Sequence, residues 1–124
     1  MPRTHTYLRT HSLAGKILGF DLAAEDAKLQ QQASAAKSRR AAKTLVKEGR
    51  LRVTLVALRK GAVLGAHTVE GDVSLQVLRG AFEVRTVQRR IRGRKGSLIV
   101  LRANVEHEAT ATRDTTVLIT ASMR

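Results

Sequence analysis

From Thr44 onward the chain breaks into short apolar segments separated by glycines, and this pattern limits its fold more than any other feature. Leu51, Val53, Leu55 and Ala57 alternate with Arg50, Arg52, Thr54 and Val56, the two-residue period of a strand. Residues 73–78, 82–87, 97–101 and 116–120 repeat the texture, with a short segment near His107. Lys60-Gly61, Gly80, Gly93 and Gly96 punctuate the series. Short strands about ten residues apart suit a sandwich or barrel, whereas a parallel sheet needs helices between them. The expected fold class is all-β.

The preceding residues have a different character. From Leu22 to about Ala42 the chain is rich in Ala, Gln, Glu and Lys, which favour helix. Asp21 suits the N-cap, and Glu25 and Asp26 suit the first turns. Lys37, Arg39, Arg40 and Lys43 load the far end, where cations meet the negative pole of the helix dipole. Leu22, Leu29, Ala33 and Ala36 form a stripe that is mostly alanine, so the helix gains little by burial and is expected at the surface. Residues 1–43 are thus read as an N-terminal segment with a surface helix, and residues 44–124 as the β domain.

Composition closes off several functions. The chain has no cysteine, which excludes disulfides, thiolate metal sites and cysteine nucleophiles. Its aromatic residues are Tyr7, Phe20 and Phe82, too few for a stacking platform. No serine lies in a nucleophile elbow, and Gly61-x-x-x-Gly65 lacks the lysine and helix of a phosphate loop. No apolar run approaches the roughly 20 residues that span a bilayer. The first twenty residues contain no acid and carry Arg3, Arg9 and Lys16, a composition shared with transit peptides. The reading adopted is a short basic terminus on a cytoplasmic protein, with His5 and His11 solvent-exposed.

Two spaced motifs carry a resemblance. Gly61 and His67 are followed by Gly80, and Gly96 by His107. This order resembles the paired motifs of the cupin superfamily, in which the first runs Gly, five residues, His-x-His, three or four residues, Glu, six residues, Gly. The second runs Gly, five residues, Pro-x-Gly, two residues, His, three residues, Asn. The resemblance covers about residues 44 to 122 and implies a jelly-roll β-barrel, to which the helical segment read from composition is an N-terminal extension. Cupins commonly hold a divalent metal with three imidazoles and a carboxylate, and commonly form homodimers.

This chain departs from that pattern at the ligands. Val69 stands at the second histidine and Val73 at the glutamate, and valine supplies no lone pair. Arg102 and Asn104 replace the proline and glycine of the second motif, and Ala111 its final Asn. Asn is the residue after glycine that best tolerates a left-handed turn. The resemblance puts His67 and His107 side by side in the barrel mouth, where two imidazoles would hold a divalent metal weakly or not at all. The expected ligand pocket comprises His67, Val69, Val73 and His107, and the expected ligand is a small molecule, an anion among the candidates. Asp72 could replace the lost carboxylate only from a turn, because a one-residue change reverses side-chain direction in a strand. Gln76 should face away from the pocket, at a dimer or helix contact.

The chain carries 23 Lys and Arg against 10 Asp and Glu, a net charge of +13. One concentration is residues 89–95, read as an exposed hairpin loop in which Arg89, Arg90, Arg92, Arg94 and Lys95 could grip nucleic acid or other polyanions. No base-reading motif accompanies them, so such binding would be non-specific. Leu51, Val53 and Leu55 make one face of their strand apolar, and Val56 and Leu58 the other. A second copy or the N-terminal helix should cover the outer face, and a homodimer is expected.

Overall fold

The computed structural model describes residues 15–67 and 70–123, with the backbone alone at residues 65–67. The order along the chain is helix α1 (Leu22–Ala35), then β1 (Arg40–Glu48), β2 (Leu51–Leu58), β3 (Val63–His67), β4 (Asp72–Arg79), β5 (Ala81–Arg85), β6 (Arg90–Arg94), β7 (Leu98–Leu101), β8 (His107–Ala111) and β9 (Thr115–Ser122). The strands form two antiparallel sheets, ordered β1-β2-β9-β4-β7 and β3-β8-β5-β6. Their facing surfaces interdigitate. Val73, Leu75 and Val77 of β4, Val117 of β9 and Ile99 of β7 pack against Phe82 and Val84 of β5 and Ala109 of β8. Val56 and Leu58 extend this inner layer with Ala62 and Ala111. The fold is the jelly-roll that the strand spacing and the motifs suggested.

The N-terminal helix covers the other face of β2. Leu29 and Ala33 pack with Leu45, Leu55 and Ala57, so the two apolar faces of that strand are buried by different partners. Asp21 caps the helix, its Oδ1 accepting from the Ala24 N–H at 3.1 Å. Polar contacts supply what the alanine stripe lacks. Gln30 Nε2 donates to the Thr115 carbonyl at 3.0 Å and to Thr116 Oγ1 at 3.1 Å. Thr116 Oγ1 in turn donates to Asp26 at 2.6 Å, and Glu25 pairs with Lys43.

The helix ends at Ala35, short of the expected limit, and β1 begins at Arg40, ahead of Thr44. Lys37, Arg39 and Arg40 therefore follow the helix rather than loading its last turn, and Lys43 lies in β1. Pairing along all of β2 and burial of Leu45 outweigh the helix propensity of these residues.

A second correction concerns residues 89–95, which are not a hairpin loop. Arg90–Arg94 is strand β6, paired with β5 from Ala81↔Arg94 to Arg85↔Arg90. Ile91 and Gly93 turn inward and Arg90, Arg92 and Arg94 outward, the two-residue period hidden beneath the charge. Gly93 is a packing glycine in mid-strand. A Cβ there would lie 2.8 Å from the Phe82 ring.

Candidate functional site

Strand β8 reads His107-Glu-Ala-Thr-Ala111, with His107, Ala109 and Ala111 buried and Glu108 and Thr110 partly exposed. Across from it, β3 pairs Val63 with Thr110 and Leu64 with Ala109. A one-residue irregularity then shifts the register and makes His67 the Cα partner of His107. Bulges of this kind re-aim strand positions near functional sites. The topology thus brings the two motif histidines to opposite positions on neighbouring strands. The His67 side chain and Val69 lie outside the described residues.

His107 is 5% exposed, and its Nδ1 lies 3.0 Å from the Val105 carbonyl. When Nδ1 donates that bond, Nε2 is an acceptor in the neutral ring and a donor in the protonated one. The carbonyl belongs to the turn in which the second motif departs from its family. Asn104 adopts φ +65°, the left-handed conformation for which asparagine is suited, and Val105 N–H bonds Arg102 O at 3.3 Å. Asp72 secures the same turn, its Oδ1 accepting from Ala103 N–H at 2.9 Å and Arg102 Nε at 3.1 Å. This aspartate therefore braces the loop that carries His107, a role the sequence reading did not foresee.

Behind His107 lies a cavity of about 80 Å³, lined by Leu64, Val73, Leu75, Phe82, Ala109, Val117, Ile119 and Ala121. His107 is the one polar side chain among the described residues of this lining. Val73 lines it from the position where the family motif has glutamate, 4% exposed. In front of His107 is an outer cleft of about 260 Å³ formed with Arg85, Thr86, Val87, Glu106 and Glu108. Arg85 Nη2 and Glu108 Oε1 pair there at 2.6 Å. The imidazole lines both spaces. Ala109 and Ala121 were the unread sequence signal, since small residues on inward positions leave volume.

The metal of the family pattern does not fit these donors. No group of three or more His, Asp or Glu able to hold an ion occurs among the described residues, and Val73 offers only methyl groups. Gln76 is exposed on the face of β4 opposite the cavity. No helix among the described residues is long and apolar enough to cross a membrane.

No family model and no curated protein matches the chain. Solved structures do. A conserved protein of unknown function from Streptococcus pyogenes is 27% identical, with a TM-score of 0.67 over 72% of this chain and 78% of its own. KdgF from Halomonas sp. is also 27% identical, with a TM-score of 0.62 over 68% and 80%. A cupin superfamily protein from Desulfitobacterium hafniense, 14% identical, covers 94% of this chain and 99% of its own with a TM-score of 0.69.

Proposed function

We propose that this chain, a small domain with the cupin fold, binds a small amphiphilic molecule across His107. The observation that carries this reading is that one buried imidazole lines both an apolar inner cavity and an outer cleft bearing charged side chains. Apolar cavities of about 150 Å³ admit benzene, so a space of about 80 Å³ suits a short alkyl group. A polar head, a carboxylate among the candidates, would remain in the cleft beside His107 and Arg85, which Glu106 and Glu108 also line. His67 and His107 would together hold a divalent ion weakly at most, because two valines stand at the family's other ligand positions.

Calorimetric titration with straight-chain carboxylates from acetate to octanoate tests the reading. Affinity should rise to a short optimum length and fall beyond it. His107→Ala should weaken binding about tenfold, the worth of one charge-assisted hydrogen bond, and Ala109→Val should remove the length optimum. Affinity indifferent to both substitutions would sink the proposal. Elemental analysis of the purified protein should find divalent metal well below one equivalent.

The expected pairing of two copies belongs to this proposal. Leu98 and Val100 of edge strand β7 are 63% and 55% exposed, large apolar side chains on a sheet margin that a second copy would cover.

A further inference from the structure

We propose a second binding site on the outside of the barrel, at three turns gathered around Gly80, for a ligand with a chain of phosphoryl groups. A concavity of about 560 Å³ is lined there by Arg79, Gly80, Arg94, Lys95, Arg113 and Asp114. The lining comes from the β4–β5, β6–β7 and β8–β9 connections. Backbone hydrogen bonds tie these turns together: Lys95 N–H donates to Gly80 O at 3.2 Å, and Arg113 N–H to Ala81 O at 3.3 Å. Thr115 Oγ1 also donates to Ala81 O, at 2.8 Å. The close approach depends on glycine, because a Cβ on Gly80 would lie 2.1 Å from the Asp114 carbonyl oxygen. The cations are therefore mounted on a stiff frame, which lowers the ordering cost of binding.

The charge is not cancelled locally. Asp114 is already engaged by Arg59 at 3.2 Å and by the Lys60 N–H at 2.8 Å. Arg79 is held by Asp26 at 3.4 Å. Among the described residues no ion pair is formed by Arg94, Lys95 or Arg113. Three cations facing one concavity exceed what a single carboxylate would neutralise, and guanidinium groups match phosphoryl oxygens in pairs. Among the described residues, recognition would rest on the phosphoryl chain. Phe82 is buried in the core and Phe20 packs beneath the helix, so neither offers a surface on which a base could stack.

Calorimetry at low salt with inorganic tripolyphosphate, adenosine triphosphate and a short oligothymidylate tests the site. Tripolyphosphate should bind, and affinity should fall steeply with added salt. The double variant Arg94→Gln/Arg113→Gln should lose about a hundredfold, roughly tenfold per charged hydrogen-bonding group, and Arg94→Lys/Arg113→Lys should recover part of it. Arg90→Gln/Arg92→Gln, on the same edge strand as Arg94 but outside the lining, should stay within about twofold, as should His107→Ala in the barrel cavity. Tighter binding of the nucleotide would assign the site to nucleotides and tighter binding of tripolyphosphate to inorganic chains, and either supports the proposal. Absence of tripolyphosphate binding would overturn it. So would equal losses in the Arg90/Arg92 variant, which would mean a diffuse field, or oligothymidylate binding alone, which would mean a nucleic-acid surface.

Discussion

His107 stands opposite His67 across the β3–β8 ladder, one residue out of the register that Val63–Thr110 and Leu64–Ala109 set. That single irregularity unites residues forty positions apart. The neighbouring Val73 lines the same cavity as His107, so among the described residues the cavity presents one imidazole and an otherwise apolar wall.

Restoring a carboxylate should restore metal affinity at a cost in stability. Val73→Glu places a charge at a site 4% exposed, and an uncompensated buried charge costs roughly 3–5 kcal/mol. Manganese or zinc should then raise the melting temperature of the variant and leave the wild-type protein unchanged. Thermal melts with and without metal read both effects; an equal response of the two proteins would contradict the geometry.

Two glycines separate backbone strain from steric clash. Gly61 and Gly80 share nearly the same φ, +87° and +86°, yet a Cβ at Gly61 meets nothing within 4 Å. Gly61→Ala should cost about 1–2 kcal/mol, the left-handed penalty alone. Gly80→Ala should cost more than about 4 kcal/mol, because the turns must also part. Urea unfolding of the two variants gives the comparison directly.

The helix is held by an amide as much as by its apolar stripe. Gln30→Ala should strand the Thr115 carbonyl and leave the Thr116 hydroxyl bonded to Asp26 alone, both in residues almost wholly buried, at about 2 kcal/mol. Hydrogen exchange should quicken in α1 and along β1 before it does in β5. Uniform quickening would show that the helix does not detach separately.

The edge strand β7 predicts the behaviour of two copies. Sedimentation should give twice the 13.6 kDa chain mass for the wild type and a single chain for Leu98→Lys/Val100→Lys. Melting at low concentration should be unaffected by the pair, since both side chains already face solvent in the single chain.

The strands were legible where apolar and polar residues alternate, as in β2 and β4, because that period is dictated by the pleat itself, and where a short apolar run stands between turns, as in β9. Strand β6 was missed because its outward positions are arginine and one inward position is glycine, leaving Ile91 as its sole large apolar residue. The helix end was misplaced for a different reason. Residues 36–43 suit a helix locally, and only pairing with β2 makes them extended.

The motif spacing by itself determined which histidines to examine and the absence of the family's other ligands, since chemical identity does not depend on folding. Glycine placement and strand period likewise determined an all-β sandwich or barrel, and the motif resemblance implied the jelly-roll. Tertiary structure alone decided that Asp72 braces a turn, that His107 divides a cavity from a cleft, and that three distant turns pool their cations around Gly80. Those are relations between strands far apart in the chain. They follow from register and packing, which no local pattern encodes.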